Sequence, residues 1–234
     1  MNPTRTQAKI LALLAAFILS PWLLRAEQEP SVDELLQILR NNRMAQIGEL
    51  RARLRTDQGV EVPFTLSTDG EVVRYVFTDP DQELQLTMDG SGSELRERVD
   101  GRMVKVKPER YCERVRGTPV AYEDLALQVL YWPRVKLLGS ERVSVMDAWK
   151  LEMQGPPEGS QYGAARVWVD KKSGQLIKIE GFGRDGGTLK RFEAKSVQKI
   201  NGVWMLRQMR VETFDPETHK LTGRTYLEVL GKAD

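Results

Sequence analysis

Short glycine turns recur through most of this chain, and they constrain its fold more than any other feature. Asp69-Gly70, Asp89-Gly90, Asp100-Gly101, Lys172-Ser173-Gly174, Asp185-Gly186 and Asn201-Gly202 supply the positive φ angles that tight hairpins demand. Between them the sequence alternates apolar and polar residues, as in strands with one buried and one wet face. The pattern predicts strands over 60–66, 71–78, 83–88, 94–99, 102–107, 135–143, 148–153, 165–170, 175–182, 188–197, 203–214 and 223–230. About a dozen strands in sequence, joined by tight turns, make a large antiparallel meander.

Two segments break the rhythm. Ser31, with Glu34 three residues on, predicts a capping box, and Leu35, Ile38 and Leu39 follow on one helical face. Residues 122–130, Tyr-Glu-Asp-Leu-Ala-Leu-Gln-Val-Leu, read as a second helix that Pro133 stops, with Leu125 and Val129 on its apolar side. Two short helices cannot cover a dozen strands. Either the sheet closes into a barrel, or it stays a half-barrel with the helices as a lid over an apolar hollow. In the stretch 166–186, Val167 and Val169 alternate with Arg166 and Asp170, and Ile177 and Ile179 with Lys178 and Glu180. The greasy side of that hairpin needs a cover, which is either the chain's own core or something it carries.

The N-terminus points to export. Arg5 and Lys9 precede an apolar stretch from Ile10 to Leu24, and Leu24-Arg25-Ala26 ends in a small residue before Glu27, which is the layout of a secretory signal over residues 1–26. Pro21 interrupts a stretch already short for a membrane span, so cleavage is expected, with an uncleaved tethered form as the alternative. Residues 27–234 are expected to form a single soluble domain. Cys112 is the sole cysteine, so no internal disulfide can hold it. The slight basic excess of 35 Lys and Arg over 33 Asp and Glu comes from the first 26 residues, which carry three basic side chains and no acid. The remainder is close to neutral, which argues against a nucleic-acid partner.

A catalytic centre is not apparent. His219, the single histidine, sits in the polar turn Asp215-Pro216-Glu217-Thr218-His219-Lys220 and reads as solvated. One histidine and one cysteine far apart make a poor metal site. The stretch 181–187 is glycine-rich but joins two strands, so it reads as a turn and not as a phosphate cradle. No catalytic residue, metal or cofactor is expected. Trp149 shares the apolar side of its strand with Leu151 and Met153, whereas Trp168 falls on the face of Arg166 and Asp170.

The order of these features, with Tyr122-Glu123-Asp124-Leu125, "VWVDKKSGQLIKIEGF" and the closing "LKRFEAKSVQKINGVWMLRQMRVETFDPETHKLTGRTYLEV", resembles the LolA-like outer-membrane lipoprotein-sorting proteins. The resemblance runs over most of the chain after the signal and is strongest from Tyr122 to Leu230. It implies a mainly β fold: a curved antiparallel sheet in an unclosed half-barrel, with helices lidding an apolar cavity. It also implies a monomeric periplasmic carrier of lipoprotein acyl chains or lipid, served by an inner-membrane donor complex and an outer-membrane acceptor. On this reading the cavity is lined by Val73, Tyr75, Phe77, Leu84, Leu86, Trp149, Leu151, Met153, Val167, Val169, Ile177 and Ile179, with Leu125 and Val129 on the lid. An arginine near the lid matters for release in the sorting carrier, and Arg51, Arg53, Arg55 and Arg74 are the candidates here. Two other readings remain open. One is a non-transporting envelope module of the same fold, filled by its own side chains, that senses lipid or scaffolds an assembly. The other is a hydrolase with two facing carboxylates.

Overall fold

The computed structural model describes residues 29–40 and 44–233; the expected signal lies outside the described residues. Ser31 and Glu34 form the expected capping box: Glu34 Oε2 accepts from the Ser31 amide at 2.7 Å, and Ser31 Oγ accepts from the Glu34 amide at 3.2 Å. They open helix α1, Val32–Arg40, whose Leu35, Leu36 and Leu39 are buried. Ile38, expected on that face, is instead half-exposed at its edge and rests against the Gly174 turn.

Thirteen strands follow: β1 Met44–Thr56, β2 Glu61–Gly70, β3 Val72–Thr78, β4 Asp81–Met88, β5 Ser93–Val99, β6 Arg102–Lys105, β7 Arg134–Val143, β8 Met146–Gln154, β9 Ala164–Asp170, β10 Leu176–Phe182, β11 Thr188–Ile200, β12 Val203–Phe214 and β13 Leu221–Lys232. They form one antiparallel sheet in the order β6-β5-β4-β3-β2-β1-β13-β12-β11-β10-β9-β8-β7. The chain runs outward from β1 to the edge strand β6, crosses to the far edge at β7, and returns strand by strand to pair β13 with β1. The edges β6 and β7 do not pair, so the half-barrel stays open.

The crossing segment, residues 106–133, is the lid. It is built from 3-10 turns at Pro108–Arg110, Val115–Gly117 and Gln128–Tyr131 around one turn of helix α2, Tyr122–Leu125. The single helix expected over 122–130 is broken at Leu127, whose φ of 49° is left-handed. The break lets Leu125 and Ala126 on one side of it, and Leu130 and Trp132 on the other, all reach the core.

Strand β1 has no counterpart among the expected strands. Its Leu50, Ala52 and Leu54 are buried, and the arginines at 51, 53 and 55 alternate onto the outer face. On that face Glu228 of β13 accepts from Arg53 Nε at 2.7 Å and from Arg55 at 2.9 Å, tying the first strand to the last. Further out, Glu212 of β12 pairs with Arg191 at 3.2 Å and Arg224 at 3.1 Å. The outer face is thus laced with arginine–glutamate pairs, and the inner face is apolar.

The hydrogen bonds from Arg55 and Arg53 hold the Glu228 carboxyl well below its ordinary value of 4.5, at about 2. A carboxylate depressed in the folded state stabilises the fold above its unfolded value, and that stability is lost as pH falls toward the folded one. We expect urea unfolding to show this contribution, about 1–3 kcal/mol after solvent screening, disappearing between pH 4.5 and 2. The variant Glu228→Gln should have a flatter acid limb. Parallel acid limbs in the two proteins would show that the seam is not held by this charge.

Candidate functional site

The concave face and the lid meet in one apolar cluster. Ten of the residues expected to line a cavity are buried in it: Val73, Phe77, Leu84, Leu86, Leu125, Leu151, Met153, Val167, Val169 and Ile179. Tyr75, Val129 and Trp149 are half-buried against it. Ile177 is not part of it. A bulge between Leu176 and Lys178 puts an extra residue opposite Val169 and Trp168, so Ile177 turns to the outer face and packs with Val143, Ala148 and Trp168. Lys178 Nζ, 4.1 Å from the Trp168 ring centroid, and Lys150 Nζ, 5.0 Å from it, roof this second small cluster. Trp168 therefore lies on the face the alternation assigns to it, yet is almost completely buried.

The inner cluster is filled by the chain itself. Leu35, Leu36 and Leu39 of α1 and Tyr111, Val115, Leu125, Leu130 and Trp132 of the lid occupy the hollow of the sheet. Two surface clefts lie elsewhere, and none of the fourteen expected lining residues borders either. One, of about 480 Å³, sits at the end of the half-barrel between Cys112, Arg114 and Pro119 of the lid, the β1–β2 turn and the β12–β13 turn. The other is flanked by the β7–β8 turn and Asp170, Lys171 and Lys172.

Three consecutive residues of α2 fasten the lid to both halves of the sheet. Toward the N-terminal half, Tyr122 Oη accepts from Gln82 Nε2 at 2.8 Å, while Glu97 takes Gln82 at 2.6 Å and Arg110 at 2.6 Å. Toward the C-terminal half, Glu123 accepts from Ser160 Oγ at 2.7 Å and the Gln161 amide at 3.1 Å. Asp124 accepts from Tyr162 Oη and from Lys190 Nζ, each at 2.7 Å, and from the Ala121 amide at 2.7 Å. Burial pushes the Glu123 carboxyl above the usual range, with Asp124 beside it adding to the rise. The exposed Cys112 thiol is also pushed up, by partial burial of the sulfur and by Glu123, the opposite of what activates a nucleophile.

These fastenings were not read from the sequence. The signal that could have found them is Tyr122-Glu123-Asp124 itself, three polar side chains in a row where a helix needs an apolar face. Arg51, Arg53, Arg55 and Arg74 all alternate onto the outer face, away from the lid. The arginine that does meet it is Arg40, at the end of α1. Its Nε donates to the Leu130 carbonyl at 2.9 Å and its guanidinium lies 5.1 Å from the Tyr131 ring centroid. His219 is exposed, with Nε2 3.8 Å from Asp185. Among the described residues no three His, Cys, Asp or Glu side chains gather as metal ligands.

A family model described as "Uncharacterized protein" matches residues 100–229, more than half of the chain. The chain belongs to that family. Solved structures place its fold. An outer membrane lipoprotein-sorting domain from Vibrio parahaemolyticus superposes with a TM-score of 0.67 at 18% identity, covering 85% of this chain and 89% of that one. A LolA superfamily protein from Nitrosomonas europaea gives 0.60 at 17%, covering 88% and 95%. A DUF1329 family protein from Desulfovibrio piger gives 0.61 at 17%, covering 84% and 88%. The chain has the LolA-like fold. No curated protein matches it.

Within this family member, the clamp depends on a glycine. A Cβ at Gly181 of β10 would lie 2.3 Å from the ring of buried Tyr162, the residue that donates to Asp124. Gly181→Ala is expected to displace Tyr162 and cost about 1–3 kcal/mol in urea unfolding. A variant as stable as the wild type would show that the ring has room to move.

Proposed function

We propose that the protein is an exported, periplasmic carrier that holds the acyl chains of a lipoprotein or lipid against the concave face, with α1 as the cover they displace and the lid as its fixed rim. The observation that carries the reading is the apolar inner face of a LolA-like half-barrel, covered by a helix with few polar ties. The thirteen inward residues named above would form the acyl site, and Ile177 would not. Donor and acceptor would be an inner-membrane complex and an outer-membrane receptor. Among the described residues no helix is long and apolar enough to cross a membrane.

The energetics suit exchange. Lifting the three buried leucines of α1 into water costs roughly 5–9 kcal/mol, and burying about ten methylenes of an acyl chain returns roughly 8 kcal/mol. The balance is close, as release requires. Arg40 would act as the latch, through its hydrogen bond to the lid and its contact with Tyr131.

The filled interior favours a second reading, a non-transporting envelope module of the same fold. Protein purified from an envelope fraction and extracted with organic solvent for lipid mass spectrometry separates the two. Stoichiometric lipid or acylated peptide is expected. In parallel, Arg40→Ala should speed entry of a fluorescent fatty acyl probe on the order of ten-fold. Protein free of lipid that also fails to take up the probe would overturn the carrier reading.

A further inference from the structure

Strands β11 and β12 outrun the sheet. β11 pairs with β10 only as far as Glu193, and β12 pairs with β13 only as far as Gln208. Residues 194–207 therefore leave the sheet as a two-stranded ribbon, bent by bulges around Ser196. An isolated two-stranded ribbon is marginal in water. This one is propped on its inner face, where Ile200 and Met205 pack toward Leu50 and Val229 and Gln198 Nε2 donates to the Val229 carbonyl at 2.9 Å.

The outer face is of a different kind. Trp204, paired with Lys199, is 67% exposed, and Val197, paired with Leu206, is 58% exposed. Leu230, the extra residue at a bulge in the stretch of β13 that pairs with β1 beyond the end of β12's pairing, is 52% exposed. From Ala194 to Val211 the sequence carries Lys195, Lys199, Arg207 and Arg210 and no acid. Lys195 and Arg210 are paired with Glu193. Among the described residues Lys199, Arg207 and Lys232 have no carboxylate partner, and all three are exposed.

We propose that this ribbon is a membrane-docking surface, which sets Trp204 among the headgroups of an anionic bilayer with Lys199, Arg207 and Lys232 against the lipid phosphates. Tryptophan favours the bilayer interface because its ring is apolar and its N–H still finds a polar partner there. Each lysine or arginine near an anionic surface adds roughly five-fold to binding. A bilayer fits better than a protein partner. Three exposed apolar side chains fall short of the roughly 1,000 Å² that a stable protein interface buries, whereas they suffice for weak, reversible adsorption.

The placement gives the surface a use. β11 runs antiparallel to β10, so the ribbon leaves the sheet at the end where β10 begins, the end at which the Gly174 turn meets Ile38 of α1. Docking there would bring α1 to the membrane. That use rests on the carrier reading, but the docking does not.

Tryptophan fluorescence of the full chain, mixed with vesicles of brominated phosphatidylglycerol and phosphatidylcholine, tests the proposal. Trp22 remains in every variant, so the difference between wild type and Trp204→Phe isolates the ribbon. Wild type should show a quenched component that Trp204→Phe lacks, that vanishes with brominated phosphatidylcholine alone, and that Lys199→Glu/Arg207→Glu weakens more than about ten-fold. Equal quenching of wild type and Trp204→Phe, or full quenching of the charge-reversed variant, would overturn it. Acyl-probe uptake by the same variants separates the two readings. Uptake without Trp204 quenching would leave the carrier standing and the docking surface refuted, and quenching without uptake would do the reverse.

Discussion

Everything in this fold hangs on the pairing of β1 with β13. The chain lays down β1 to β6, leaps across the open mouth, and lays down β7 to β13. Among the described residues no other strand pair joins the two halves. Along that seam Ala52 pairs with Val229 and Leu54 with Leu227 beside the core, and Glu228 gathers Arg53 and Arg55 on the outside. Closing it fixes the curvature, and the curvature makes the hollow that α1 and the lid then fill. The lid is the second tie between the halves, through Tyr122 on one side and Glu123 and Asp124 on the other. A sheet open at both edges is thereby stapled twice, once at the centre and once across the mouth.

The turn chemistry made the meander legible, because Asp-Gly and Asn-Gly dictate where a strand must reverse whatever the core does. Turns and alternation together account for twelve of the thirteen strands. β1 is absent from the expected strands because none of the glycine turns named above bounds it, and the glutamate that neutralises two of its arginines lies on the strand farthest away in sequence. The helix over 122–130 was misread for the opposite reason. Its composition is helical, but Leu125 and Leu130 both have to reach the core from a short crossing segment, and the left-handed break at Leu127 achieves that. Ile177 shows the limit of period-2 reading, since a single bulge residue moves a side chain to the other face. The polar clamp of α2 announces itself in the sequence only as the run Tyr122-Glu123-Asp124, because its partners at Gln82, Ser160, Tyr162 and Lys190 converge only in three dimensions.

The interior sets a condition on function. A hollow lined by leucine, valine and methionine is covered by three leucines of a nine-residue helix. On the carrier reading we propose, it would take an acyl chain by exchange, leucine for methylene, at nearly equal free energy. Such exchange favours a carrier that neither leaks cargo to water nor keeps it. The asymmetry of the ties points the same way. The lid is held by charged and buried polar contacts to both halves, whereas α1 meets the rest of the fold through apolar packing and Arg40. The mobile part should therefore be α1, with the lid as a fixed rim.

Amide hydrogen exchange across Val32–Arg40, measured with and without a bound fatty acyl chain, tests that exchange most directly. The account predicts that α1 amides lose protection when the chain binds while those of β3, β4, β8 and β9 keep theirs. If the acyl chain binds and α1 stays as protected as before, the helix is not the displaced cover and the exchange mechanism is wrong.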